Sequence, residues 1–186
     1  MEFEEVIKTR RSIRSYTDTD VEDEFITKIL KAGMQAPGSR LKAEPWEFIV
    51  VKDAETREKL GNVAPNTKKA GEAPVVIMPL ANINRAHYKL MWQEDMGACT
   101  ENMLLEACNL GLGGLWIGVA PVEERMNDIA EIFSLPEGVK PYCMVCIGYP
   151  ADDVENRFMD KFDESRIYYE KYWLNLIISY LFFFVY

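Results

Sequence analysis

Residues 110–118 narrow the choice of fold more than any other part of the chain. A long amphipathic segment runs here into glycines and then into a short apolar run. Gly111, Gly113 and Gly114 let the backbone turn sharply and lie close to a flat or charged partner, because no side chain stands in the way. The order is helix, glycines, strand, whereas a dinucleotide-binding fingerprint needs strand, glycines, helix. The stretch therefore disfavours a Rossmann site and predicts either a capped helix end or the edge of a binding site.

Composition and charge indicate a globular protein that acts on small molecules. The 186 residues are 48% hydrophobic and 12% aromatic, which is enough for the core of one domain. The formal net charge of −9 argues against a nucleic-acid or anionic-membrane surface, because such surfaces need clustered excess cations. The first residues are charged and contain no apolar signal region, so we expect a cytoplasmic location.

Strands alternate with helices along the chain, which predicts a mixed α/β or α+β sheet covered by helices. The segment 88–110 is apolar around much of its circumference, and this implies burial on several sides, as in a dimer core or a central spine. Residues 61–73 predict a mobile surface connection. The predicted helices cover residues 3–9, about 20–34, 55–60, 88–110, 121–133 and 169–172; the predicted strands cover 47–51, 74–80, 115–119 and 141–148.

The cysteines predict structural, reduced thiols. Cys143 and Cys146 form a C-x-x-C pattern, but they lie in an apolar run that predicts a buried strand, where the period of two sends the thiols to opposite faces. Cys99 and Cys108 occupy the long helix and are expected to be small core residues. With His87 as the single histidine and no spaced acidic ligands, a catalytic metal is not expected.

Residues 10–14 bring three guanidiniums and a hydroxyl together in an otherwise acidic chain. The forked donors of arginine suit phosphate, and a serine hydroxyl can complete such a set. The alternative interpretation is a solvated charged patch neutralised by Glu4 and Glu5. The members of this cluster are Arg10, Arg11, Ser12 and Arg14.

Two further polar segments and an apolar tail complete the sequence. A loop over residues 36–46 carries the donors Ser39, Arg40 and Lys42, and residues 157–166 bring further cations. The tail at 174–186 is uncharged but shorter than the ~20 residues that a spanning helix needs. It is interpreted as a segment packed on a partner subunit, a membrane-surface tail or an anomalous end.

Several motifs follow one another along the chain at residues 10–16, 36–39 with 45–48, 95–102, 111–118, 147–150 and 163–169. No single motif is specific, but their order along the chain is. Together they resemble the FMN-dependent nitroreductase family, and the resemblance runs from about residue 2 to residue 173.

The resemblance implies an α+β three-layer sandwich, with a central, mostly antiparallel sheet flanked by helices, in an intertwined homodimer. It implies one FMN-binding domain over residues 1–173, followed by the apolar tail of uncertain role. One FMN would occupy each of two interface grooves. The arginine cluster and two late cations would bind the phosphate, ribityl and pyrimidine groups, the second subunit would reach the ring, and a strand edge would lie along it. The implied cofactor-binding residues are Arg10, Arg11, Ser12, Arg14, Pro37, Gly38, Ser39, Trp116, Ile117, Gly118, Arg157 and Lys161.

The implied activity is ping-pong hydride transfer from NADH or NADPH, through flavin N5, to a nitroaromatic, a quinone or a similar small acceptor. The cofactor carries this chemistry, so no catalytic side chain is assigned. Three alternatives stay open: a flavin-binding relative that performs dehalogenation or flavin fragmentation, a flavin carrier or sensor without turnover, and a thiol-redox role for Cys143 and Cys146.

Overall fold

The computed structural model describes residues 1–39, 44–86, 88–151 and 153–172. The helices are α1 (Phe3–Thr9), α2 (Asp23–Met34), α3 (Ala54–Gly61), α4 (Lys68–Glu72), α5 (Trp92–Asn109) and α6 (Glu123–Ile132). The strands are β1 (Trp46–Val51), β2 (Val75–Asn82), β3 (Gly113–Gly118), β4 (Val139–Pro141) and β5 (Cys143–Gly148). The predictions for Arg40, Lys42, His87 and the tail at 174–186 fall outside the described residues.

The strands form one antiparallel sheet in the order β1-β2-β5-β3, and the short β4 also pairs with β2. Along β3 the register runs from Gly113 opposite Gly148 to Gly118 opposite Cys143. The predicted α+β class with a central antiparallel sheet is therefore confirmed. No helix within the described ranges is long and apolar enough to cross a membrane.

Helices cover both faces of the sheet and make three layers. One core cluster joins the sheet to α2 and α5, and the other joins its opposite face to α3, α4 and α6. Cys143 belongs to the first cluster and Cys146 to the second, so the two thiols lie on opposite faces, as the strand period predicts. All four cysteines are free and buried.

The long helix α5 is the spine of the first cluster. Met96, Cys99 and Met103 have no exposed surface, and a Cβ at Gly33 would lie 2.8 Å from the Met103 Cγ. A glycine at that point therefore lets α2 lie close against α5. Met34 and Met91 are 47% and 40% exposed, since both stand at helix ends outside this contact.

Four local predictions are wrong. Residues 61–73 are not a mobile connection: they form a 3-10 turn and α4, because the buried Thr67 hydroxyl closes the turn on the Ala64 carbonyl at 2.7 Å. β3 begins two residues earlier than predicted, since the glycine backbones pair with β5. The predicted strand at 141–148 is wrong only in extent: residues 143–148 form β5, whereas Pro141 belongs to β4. Residues 169–172 form no helix, and Glu170 has a φ of 59°.

Candidate cofactor-binding site

The arginine cluster lies on an extended strip, residues 10–17, along the edge of the sheet. The strip begins where α1 ends and runs parallel to the start of β3, with the Ile13 N–H donating to the Gly114 carbonyl at 3.0 Å. Farther on, the Thr17 N–H donates to the Tyr149 carbonyl at 2.9 Å. An extended strand sends alternate side chains to opposite sides. Ile13 is thus buried in the body of the protein while Ser12 and Arg14 are exposed.

A cavity of about 960 Å³ opens beside this strip. Its second wall is the segment 153–161, which returns along the strip, and α4 contributes one residue. Six cations and two carboxylates line it, so it is a basic site in an acidic chain. The cations are Arg10, Arg11, Arg14, Lys69, Arg157 and Lys161, and the carboxylates belong to Asp153 and Glu155.

The cations differ in how far their donors are already used. Arg10 contacts Glu101 of α5 at 3.4 Å, and Lys69 pairs with Glu72 of its own helix. The Arg14 guanidinium is exposed and donates to the Ser12 carbonyl at 3.2 Å, a weak bond that leaves most of its donors available. Arg14 is therefore the strip residue best placed to meet an anion.

Arg11 is engaged with backbone. Its Nη1 donates to the Arg10 carbonyl at 2.5 Å, and its Nη2 donates to the carbonyls of Lys8 at 2.9 Å and Met159 at 3.3 Å. The Nε is buried, with no hydrogen-bond partner among the residues that the structure describes. This guanidinium thus joins the end of α1 to the segment 153–161.

The expected ring-contact residues of the loop do not line the cavity of their own chain. Pro37, Gly38 and Ser39 follow the end of α2, and the Ser39 hydroxyl donates to the Asp95 carboxylate at 2.6 Å. Asp95 lies in the first turn of α5 and is only 5% exposed. The hydrogen bond therefore fixes the loop at the opposite end of α5 from α1.

The end of β3 supplies a flat, open edge. Trp116 packs edge-on against Tyr142 with ring centroids 5.7 Å apart, and Ile117 is buried. Gly118 is exposed, and a Cβ built on it would meet no atom of the described residues within 4 Å, while its carbonyl accepts a hydrogen bond from the Arg125 Nη1 at 3.1 Å. This edge does not line the cavity, but it is on the strand that pairs with the strip, about 13 Å along it from Gly114.

Two tyrosines of the site region have raised pKa values, one near the end of β3 and one on the strip. Burial, with contributions from Cys143 and Glu94, raises the pKa of Tyr142 to about 12. Burial also raises the pKa of Tyr16, whose hydroxyl donates to the Ile13 carbonyl at 2.7 Å.

Within the described ranges, no group of three or more His, Cys, Asp or Glu side chains could hold a metal ion.

Two residues of the cavity region were not found from the sequence. Lys69 was missed because residues 61–73 were predicted to be a mobile connection, although the Lys68-Lys69 pair shortly before a strand was a visible signal. Asn156 accepts a hydrogen bond from the Arg11 N–H at 2.9 Å, and no motif pointed to it.

Comparison with known proteins identifies the family. The Nitroreductase family model matches residues 7–67 and 63–149. A protein of Methanothermobacter thermautotrophicus, provisionally named an NADH dehydrogenase/NAD(P)H nitroreductase, is 42% identical over 172 residues, covering 92% of this chain and 88% of its own.

Two solved structures share the fold at useful sequence identity. A provisionally named NADH oxidase of Clostridium acetobutylicum is 44% identical with a TM-score of 0.86, covering 90% of this chain and 99% of its own. An FMN-dependent nitroreductase of Clostridium difficile is 31% identical with a TM-score of 0.81, covering 90% and 98%. By family-model match, sequence identity and fold together, this chain belongs to the nitroreductase family.

Proposed function

We propose that the protein is an FMN-dependent NAD(P)H oxidoreductase that reduces a nitroaromatic, a quinone or a similar small acceptor. The observation that carries this proposal is the cavity in which five cations from the two end regions of the chain meet a sixth, Lys69 of α4. Membership of the nitroreductase family supports it. The C. difficile relative, which is an FMN-dependent nitroreductase, supports it further.

The cavity fits the phosphate end of FMN. Guanidinium and ammonium donors bind phosphate through charge-assisted hydrogen bonds, and about 960 Å³ is the volume of a small-molecule pocket. Arg14, Arg157 and Lys161 would hold the phosphate. Arg10 and the Ser12 hydroxyl would bind the adjoining ribityl and pyrimidine groups.

The open end of β3 fits the flavin ring. Gly118 is exposed and carries no side chain of its own, so a planar ring can lie against the strand beside the Arg125 guanidinium that donates to the Gly118 carbonyl. Trp116 and Ile117 would complete this edge. When bound, FMN supplies the redox chemistry, which is hydride transfer from NADH or NADPH at N5 and two-electron reduction of the acceptor in ping-pong order.

A second copy of the chain would complete the site. Large apolar side chains stand exposed in a single chain, among them Phe3 at 74%, Phe162 at 76% and Tyr172 at 75%. Aromatic side chains are enriched in the buried parts of subunit interfaces, and this supports a protein partner. In the proposed homodimer, the partner's loop over residues 37–39 would supply the remaining ring contacts of Pro37, Gly38 and Ser39. Light scattering of the flavin-loaded protein should give twice the 21.4 kDa chain mass; the mass of one chain at full loading would contradict this assembly.

Steady-state oxidation of NADH or NADPH with a nitroaromatic acceptor tests the activity. We expect turnover that depends on bound FMN. A flavin-loaded protein that oxidises neither nucleotide would instead be a carrier or sensor, and turnover confined to another acceptor class would favour the relatives with other chemistry. The cytoplasmic location stays a prediction from the sequence.

A further inference from the structure

The returning wall of the cavity is held by polar contacts. Each described residue from Asp153 to Tyr172 is exposed or half-buried, and none belongs to either core cluster. Two of the cavity's cations, Arg157 and Lys161, lie on this wall. Because hydrophobic burial within a single chain does not fix the wall, hydrogen bonds to the body of the same chain set where these cations stand.

Asn156 makes two of those hydrogen bonds. Its Oδ1 accepts from the Arg11 N–H at 2.9 Å, and its Nδ2 donates to the Leu112 carbonyl at 3.4 Å. Leu112 directly precedes β3, so one side chain joins the returning wall to both the strip and the sheet. The carboxamide is suited to this because it is donor and acceptor at once.

Arg11 makes the next attachment from the opposite side. Its Nη2 bridges the Lys8 carbonyl at the end of α1 and the Met159 carbonyl on the returning wall. Met159 stands between Arg157 and Lys161 in the sequence. The Nη1 of Arg11 donates to the Arg10 carbonyl, so both Nη nitrogens make hydrogen bonds to main-chain carbonyls.

We propose that Arg11 and Asn156 are positioning residues that hold Arg157 and Lys161 in the cavity and thereby set the affinity for the FMN phosphate. We call this pair the latch. The inference rests on the proposed function, because it assumes that the cavity binds the phosphate of FMN. It assigns Arg11 an indirect role, in which it places two cations without binding the phosphate itself.

Riboflavin carries the flavin ring and the ribityl chain but lacks the phosphate. Comparing its binding with that of FMN therefore distinguishes an effect on the phosphate site from a general loss of structure. We expect Asn156→Ala to weaken FMN binding about tenfold, the result of losing two hydrogen bonds, and to change riboflavin binding less than twofold. Flavin fluorescence titration of the purified protein measures both. Asn84→Ala is the matched control, since the Asn84 Nδ2 donates to the Glu137 carbonyl at the same 3.4 Å and does not line the cavity.

A double-mutant cycle tests whether Arg11 affects FMN binding through Arg157 and Lys161. In the Arg157→Ala/Lys161→Ala background the latch has no cations to position, so adding Arg11→Ala should change the Kd for FMN less than twofold. In the wild-type background the same substitution should weaken FMN about tenfold. An equal loss in both backgrounds would show direct contact by Arg11 and overturn the proposal. Equal losses of FMN and riboflavin in Asn156→Ala, or no loss of either, would overturn it as well. If the wild-type protein binds neither flavin, it is the proposed function that fails.

Discussion

Arg14 is the residue on which the phosphate site depends most directly. Its guanidinium is exposed at the cavity and, among the residues that the structure describes, donates to the Ser12 carbonyl through one long hydrogen bond, so an anion can use its remaining donors. Arg14→Ala should weaken FMN binding by about 1.5–3 kcal/mol, the size of a hydrogen bond to a charged group. Fluorescence titration measures this. Lys59→Ala, which removes an exposed cation that does not line the cavity, should leave the affinity unchanged; the same result for Arg14→Ala would remove the basis for this site.

The buried thiols make stability sensitive to alkaline pH. Burial raises the pKa of Cys99 and Cys146 from 9.0 to about 12, and it raises that of Cys143 as well. Below about pH 9 the thiols are protonated in both states, so their contribution to stability is fully present. Between about pH 9 and pH 12 the unfolded chain releases protons that the folded chain keeps, and the free energy of unfolding should fall. Urea denaturation at a series of pH values measures this fall.

The variant Cys143→Ser/Cys146→Ser checks both the pH effect and the thiol alternative. It should lose less stability above pH 9 than the wild type, because two titrating groups are gone. It should also keep NAD(P)H turnover, since the two thiols lie on opposite faces of β5 and cannot act as a pair. Loss of turnover in a folded variant would support a thiol-redox function.

At the scale of single elements, β3 connects the basic cavity to the proposed ring-binding edge. Gly113 begins this strand and Gly118 ends it, and substitutions at the two positions should have different effects. A Cβ at Gly113 would lie 2.7 Å from the Ile13 Cβ, so even alanine requires the arginine strip to move. Gly113→Ala should lower the free energy of unfolding by about 1–3 kcal/mol and also weaken FMN binding. Thermal melts and flavin content measure the two effects.

Gly118→Val is the matched substitution at the other end of the strand. No atom of the described part of the chain lies within 4 Å of a Cβ there, so the free energy of unfolding of the apoprotein should change by less than about 0.5 kcal/mol. Flavin loading should nevertheless fall, because the side chain would stand where the ring is proposed to lie. Full loading would contradict the strand-edge position of the flavin.

The sequence predicts the elements well where periodicity and burial agree. α5 and the apolar strands β2 and β5 follow from their patterns, because a continuous apolar run must be buried. The α4 region was missed because its Gly, Asn and Lys residues are typical of loops, while the Thr67 hydroxyl that closes its turn acts only in the folded chain. The early start of β3 was missed because glycine carries no strand signal, although two glycines are what the approach of Ile13 and Leu104 requires.

At the scale of the whole molecule, the site is a product of tertiary structure. Residues 10–15 meet residues 153–161 across more than 130 positions of sequence, and α4 adds Lys69. The periodicity of a sequence cannot predict that two such distant segments come together, whereas resemblance to a family can. Arg157 and Lys161 were expected at the site from the family resemblance alone. The latch was not expected because hydrogen bonds to main-chain carbonyls leave no motif in the sequence.

The central claim is that the arginine strip and the glycine-bordered strand bind a flavin that a nicotinamide nucleotide reduces. A visible absorption spectrum of the purified protein, taken before and after anaerobic addition of NADH or NADPH, tests it most directly. We predict flavin absorption bands that bleach on addition of at least one of the two nucleotides. A protein that has no flavin bands, and gains none after incubation with FMN, would contradict the claim and leave the basic cavity without its cofactor.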